Sequence, residues 1–549
     1  MSESNKQLFV VAIGGTGMRC LESFVHLCAI GMFDSEEINV LTLDTDQTNG
    51  NKGRVEQLIE LYNKIKSADP AKIDGGTPNV DTFFSAKINL YKFFTDYTDQ
   101  QHKTYKLLSQ MSNLTPEQDA DNEDLARLFL DEGTVQQFEL DHGYRAQTHL
   151  GSMLMYHGIV EAAIHYAQDK DKAHEQEKTL CEFLTKLAQA GQAARVFVFG
   201  SVFGGTGASS IPVIPTAFKD ATAICTSSAL DLSKVKFGST LLTQYFTFPA
   251  PDDSQLDKQK VVANSQNFAL NSQAALQFYQ GDPTVKAVYK RLYLIGWPLP
   301  PDDKMVSKSD KPITGGGDQK NACHVVELMS ACAAFDFFNL SDDDLSSKDT
   351  QYVYRSVHYE ANSFDFEGSD FMGSYGKKFM NKLGAMFSFA HVVLAKQGAA
   401  FGMEGVKSLL GRLHDQHITD FDSLEDSQAK EIDNYLKLFG YEYNEKADII
   451  VPGWIYQIRA SVEPGKFIFD PKAFPQTRRE IEKVDPGDIF SDEKYQWNKK
   501  WPNDRYDYFI KTTVTKSLPR EDQKVNTVKE RFLASIYNGI TNSQNIKED

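Results

Sequence analysis

The chain opens on an alternation of short apolar runs and amphipathic stretches. Residues 8–13 (LFVVAI) are apolar without a break, the pattern of a strand buried on both faces of a parallel sheet. Gly14-Gly15-Thr16-Gly17 follows as a turn, 18–31 has helical spacing, and 38–43 (INVLTL) is a second apolar strand, so the first 45 residues predict a βαβ unit. Residues 50–140 carry VEQLIELYNKIKSA, KINLYKFFTDY and NEDLARLFLDE, which read as helical fragments with no strand signal and predict a helical insertion. From 151 the alternation resumes with helices near 152–168 and 172–190 and a strand over 195–200 (RVFVFG). A second glycine turn follows, then SIPVIPTAF, a strand within 237–248, a long helix within 255–281 and a strand over 291–296 (RLYLIG). The stretch 297–320 is rich in Pro, Gly and charge and reads as a linker. Residues 324–338 (HVVELMSACAAFDFF) are apolar nearly all round, which predicts a helix buried between two layers. The last third is mixed, with helices over 375–397 and 424–439, strand-like segments within 447–460 and an amphipathic helix near 525–539. The expected class is α/β, a parallel sheet with helices on both faces. Three parts are expected: 1–320 with the 50–140 insertion, a central helix over 321–340, and a smaller α+β domain over 341–549 with a C-terminal helical extension.

Charge narrows the function classes. With 58 basic against 75 acidic residues the chain carries a net charge of −17, which disfavours nucleic acid and anionic membrane surfaces as main partners. No run approaches the roughly 18 apolar residues of a spanning helix, so no transmembrane segment is expected. The N-terminus lacks the basic region of a signal peptide. Six cysteines without a CxxC pair predict reduced, buried thiols in a cytoplasmic protein, and the twelve histidines show no zinc-ligand spacing.

The chemistry concentrates in two glycine turns. Gly14, Gly15, Thr16 and Gly17 lie between a buried strand and a helix, where glycines let the backbone approach a phosphate and the helix start supplies N–H donors. Gly204, Gly205, Thr206 and Gly207, followed by Ala208-Ser209-Ser210, occupy the same context after the strand 195–200. Two such turns in one parallel sheet are expected to grip one polyphosphate from opposite sides. Neither is a GxxxxGK[ST] loop. A dinucleotide fingerprint begins at Gly15-Thr16-Gly17, but Cys20 stands where that pattern prefers a small residue, and the second turn is left unused.

These residues resemble the tubulin/FtsZ GTPase superfamily. RVFVFGSVFGGTGASSIPVIP is similar to its GGGTGTG signature and the Pro-Val-Ile that follows, although Phe203, Ala208 and Ser209 replace glycine, threonine and glycine. Gly14 through Met18 and Arg19 match the loop that opens the first helix, with Arg19 in place of an amide-type base contact. Leu43-Asp44-Thr45-Asp46-Gln47 is similar to the stretch whose aspartate lies near phosphates and magnesium, and Gly143 to Gly151, with Arg145, resembles a γ-phosphate loop. The likeness covers about the first 340 residues. It implies a Rossmann-like GTPase domain, GTP and Mg2+ as ligands, and a head-to-tail assembly with itself, and it leaves room for other protein partners.

For the nucleoside, Asn264, Asn267 and Asn271 are expected on one helical face, with Asn271 ranked first by resemblance; Asn321 and His324 are the side chains at the start of the central helix. In the family, acidic residues after that helix orient the attacking water in the neighbouring subunit. Asp342 and Asp344, in NLSDDD, or Asp365, Glu367 and Asp370, in FDFEGSD, are the candidates here. Two other functions stay open: a non-polymerising nucleotide sensor that docks a partner, and a Rossmann-type dinucleotide enzyme.

Overall fold

The computed structural model describes residues 6–69, 72–95, 144, 148–249, 264–297, 307–308, 315–319, 323–356, 365–391, 393–394, 405–444, 449–454, 458–460, 466–469 and 519–543. Seven strands form one all-parallel sheet: β1 (Gln7–Ile13), β2 (Glu37–Asp44), β3 (Lys87–Phe94), β4 (Ala194–Phe199), β5 (Lys236–Leu242), β6 (Tyr289–Gly296) and β7 (Gln351–Ser356). Their spatial order is β3-β2-β1-β4-β5-β6-β7. The chain therefore builds outward from β1 in one direction and outward from β4 in the other. The crevice between the C-terminal ends of β1 and β4 is the point at which such sheets bind ligands.

Alternation within the central strands divides the core. Leu8, Val10 and Ala12 of β1 with Phe197 and Phe199 of β4 face one layer, and Phe9, Val11 and Ile13 with Val196 and Val198 face the other. On the first face lie α1 (Gly14–Ala29) and α2 (Gly50–Lys66). The second face is covered by α3 (Thr148–Gln168), α4 (Glu175–Ala190), the short α5 (Gly205–Ser210), α6 (Ile214–Thr226), α7 (Phe268–Gly281) and α8 (Pro283–Val288). The apolar helix α9 (Val325–Asn339) returns to the first face.

Beyond it come α10 (Gly368–Met372), α11 (Gly376–His391), α12 (Gly405–Asp415), α13 (Asp426–Phe439) and α14 (Val528–Ser543). Phe379, Leu383, Leu409, Ile432, Tyr435, Phe532 and Ile536 of these helices join the same apolar cluster as α1 and α9. This explains why α9 is apolar all round: it is sandwiched between the sheet and a further helical layer. Two small antiparallel ladders complete the C-terminal region, 365–367 with 466–469 and 458–460, and 441–444 with 449–452.

Two expectations are corrected. Residues 87–94, read as helical, form the edge strand β3, paired in parallel with β2 along its whole length from Glu37–Lys87 to Asp44–Phe94. Its burial is irregular, and among the described residues it has one neighbouring strand, so the sequence lacks clean alternation. The segment 55–66 is helical as expected, and NEDLARLFLDE lies outside the described residues. The cysteines are not all reduced: Cys181 of α4 and Cys225 of α6 are joined as a disulfide, while Cys20, Cys28, Cys323 and Cys332 are buried thiols. Among the described residues no helix is long and apolar enough to cross a membrane.

Phe337 is fully buried on α9, 5.5 Å ring to ring from Phe197, and a Cβ on Gly238 of β5 would lie 2.7 Å from it. Phe337→Ala is expected to cost about 3–5 kcal/mol through the cavity it leaves, read as a lowered midpoint of thermal or urea unfolding.

Candidate functional site

The two glycine turns meet. Gly14 has φ +65°, and a Cβ placed on it would lie 3.1 Å from the Thr206 Cβ, so the turn after β1 abuts the turn after β4 at the switch point of the sheet. Gly14 and Gly17 are buried, whereas Gly15, Thr16, Gly204, Gly205 and Thr206 are partly open and line the mouth of the crevice. Helix α1 begins at Gly14 with no side-chain cap, which leaves its first N–H groups directed at the crevice.

Backbone packing holds both turns. A Cβ on Gly17 would lie 2.5 Å from the Phe199 carbonyl oxygen, and one on Gly207 would lie 2.8 Å from the Ser201 nitrogen and oxygen. Only glycine lets α1 and α5 lie this close to the ends of the strands. Two fully buried tyrosines fix α5 from behind: Tyr279 donates to the Ala208 carbonyl and Tyr289 to the Ile211 carbonyl. Ala208 is buried there rather than facing the crevice. Gly151 of α3 packs on Ser209, and Ser152 donates to the Ser209 carbonyl at 2.7 Å, so Gly151 serves a close helix contact.

The end of β2 adds the acidic edge. Asp44 is 2% exposed; its Oδ1 accepts from the Thr45 and Asp46 amides, while its Oδ2 has no hydrogen-bond partner. The Thr45 and Thr95 hydroxyls beside it are likewise buried without partners. Burial, reinforced by the neighbouring Asp46 carboxylate, pushes the Asp44 carboxyl up to about 7. Asp46 is fully engaged: Oδ1 accepts from the Thr48 amide and hydroxyl at 3.0 Å, and Oδ2 from the Gly316 amide at 2.6 Å.

Several expected contacts are placed elsewhere. Arg19 does not face the crevice: its guanidinium is buried against Glu22 of its own helix and Glu327 of α9, the latter at 3.0 Å, and Tyr245 donates to Glu327 at 2.8 Å. Burial opposes the charge, but the two carboxylates outweigh it and hold Arg19 above its ordinary value. Met18 is wholly in the core. His324 caps α9, accepting from the Val326 amide, and its ring is packed between Tyr245 and Trp297; burial, then Arg19, lowers it to about 3, so it is neutral.

The asparagine stripe does not exist as such, because α7 starts at Phe268. Asn264 is an extended cap, Asn267 lies in a 3-10 turn, and only Asn271 is in the helix. Asn271 does reach the second turn, donating to the Phe203 carbonyl at 3.4 Å. Arg145 and Asn321 lie outside the described residues.

Asp342 and Asp344 sit at the end of the sheet opposite the crevice. Asp342 pairs with Arg195 at 3.0 Å and Lys236 at 3.5 Å, at the N-terminal ends of β4 and β5. The six residues of β4 separate it from the second turn by roughly 20 Å. Asp344 accepts from the Ser341 amide and hydroxyl within its own exposed turn, and Asp370 caps α10 through the Glu367 amide. Asp365 is the first residue of the short strand 365–367, paired with Ile468. Residues that sequence reasoning missed are Asn49 and Gln319, whose side chains meet at 2.6 Å beside Gly15. No motif marks them, since their partnership spans 270 positions.

Two outcomes are expected. Asp44 has a folded-state value above that of an ordinary carboxylate, so its ionisation weakens the fold as pH rises from about 4 through 7, and below that window it costs nothing. Asp44→Asn should therefore raise the free energy of unfolding at pH 8 by on the order of 1–3 kcal/mol, and leave it unchanged at pH 4, read from urea unfolding at the two pH values. Arg19→Met leaves Glu327 buried without a cation, Glu22 keeping Arg54, and should cost about 3–5 kcal/mol. A base contact, by contrast, would lose ligand affinity with stability intact.

No protein-family model matches the chain, and no curated protein matches it.

Proposed function

We propose that the chain is a tubulin/FtsZ-like protein that binds GTP in the crevice between the two glycine turns and hydrolyses it where two copies meet head to tail. The carrying observation is the contact of Gly14 with Thr206 at the switch point, which turns two separate sequence motifs into one cradle. Its partly open rim of Gly15, Thr16, Gly204, Gly205 and Thr206 offers backbone N–H donors to a triphosphate.

The donor set around Asp44 suits Mg2+. Mg2+ beside phosphates is commonly held by one or two carboxylates, with waters and phosphate oxygens completing its shell. Asp44, with a buried and unpartnered Oδ2, is the residue that would hold it, with Thr45 and Thr95 beside it. Such an ion neutralises charge on the phosphate oxygens. Asn271, at the second turn, is the side chain for the nucleoside.

The acidic turn Asp342–Asp344 lies at the opposite end of the sheet from the cradle, so within one chain it cannot reach a bound phosphate. A second copy stacked end to end would bring its acidic turn to the first copy's crevice, a heterologous contact that propagates into a filament. A second reading has its own support. Asp342 is already paired with Arg195 and Lys236, and Asp344 is bonded within its turn, which favours a nucleotide sensor that binds without turnover and docks a partner.

The specific rate of phosphate release from GTP should climb with protein concentration and then level off. Mixing a cradle variant, Gly15→Val, with an acidic-turn variant, Asp344→Ala, should restore turnover that neither has alone. Tight GTP binding with no turnover at any concentration selects the sensor. Saturable NAD(P) binding that GTP does not displace rejects the GTP assignment.

A further inference from the structure

The linker-like stretch 297–320 has a described end, 315–319 (Gly-Gly-Gly-Asp-Gln), that does not hang free but lies on the cradle. The Gly316 amide donates to Asp46 Oδ2 at 2.6 Å, and the Gly316 carbonyl accepts from the Gly50 amide at 3.0 Å. Gly316 has φ +75°, and the Gln319 amide closes the turn onto the Gly316 carbonyl at 3.1 Å. Asn49 then donates to Gln319 Oε1 at 2.6 Å, and a Cβ on Gly15 would lie 2.8 Å from that same oxygen. An uncharged acceptor oxygen thus rests against the first glycine turn, the place the nucleotide reading gives to phosphate oxygens.

The polarity of this contact decides its role. A segment that completed the site would bring donors or cations to an anionic ligand. This one sets the Gln319 carbonyl oxygen against Gly15, carries the acidic Asp318 exposed in the same turn, and occupies the second oxygen of Asp46. We propose that residues 315–319 form an autoinhibitory latch that closes over the cradle and must lift before a nucleoside triphosphate seats. The proposal rests on the nucleotide reading above. Gly315, Gly316 and Gly317 give the strap the backbone freedom to swing, and Gln319 holding Asn49 is its catch.

The test uses the full chain and its Gln319→Ala variant, with GTPγS and Mg2+ as probe. Removing the catch should raise the association rate and the affinity by roughly tenfold, the effect of one lost hydrogen bond on an opening equilibrium. Amide hydrogen exchange at 14–19 and 315–319 should quicken in the ligand-free variant. Binding by the wild type that Gln319→Ala leaves equal or weakens overturns the latch alone and makes the strap a wall of the site. Binding of GTPγS by neither protein overturns the nucleotide reading, and the latch with it.

Discussion

The close approach of helix α1 to the ends of β1 and β4 is the constraint on which the rest depends. At Gly17 the helix backbone comes so near the Phe199 carbonyl that any side-chain carbon would overlap it. That contact fixes the axis of α1 and aims its first N–H groups into the crevice. It also brings the turn at Gly14 against Thr206. Widening the contact by one methyl group would move the helix off the sheet and separate the two turns. The cradle is therefore a product of packing as much as of glycine chemistry.

A second layer of order is electrostatic and lies just beneath. Arg54, Glu22, Arg19, Glu327 and Tyr245 form a continuous chain from α2 through α1 to α9 and the segment after β5. Taking these charges out of water is costly, and only mutual pairing makes it bearable. The network pins the start of the central helix to the first glycine-turn helix. The acidic strip at the end of β2 differs, because there Asp44 keeps an oxygen, and Thr45 and Thr95 keep hydroxyls, that the protein itself does not satisfy. Buried polar atoms without partners are uncommon in folded proteins, and three of those in this chain gather beside the cradle.

The parallel-sheet architecture and the pairing of the two turns were legible because they rest on local signals: unbroken apolar strands, glycines at strand ends, and a helix apolar all round. What sequence alone misplaced depends on distant partners. An arginine next to a glycine turn reads as a ligand contact until Glu327, 308 positions away, is seen to claim it. The Asn264, Asn267 and Asn271 spacing suggests one face only if the helix already runs through all three, and its start at Phe268 removes that premise. Strand β3 escaped because an edge strand with one bonded neighbour lacks the alternation that marks an inner one. The Cys181–Cys225 bond joins residues 44 apart with no motif between them.

The central helix has a mechanical corollary. Its polar anchors gather at its two ends: Glu327 and His324 at the cradle, and at the other end Asp336 with Tyr293 and the terminal carbonyls held by Arg195. Between them it offers its neighbours mostly smooth hydrocarbon, and the Ser330 hydroxyl turns back to its own Val326 carbonyl. Held at both tips and packed along its length, the helix fixes the spacing between the start of α1 and the N-terminal end of β4.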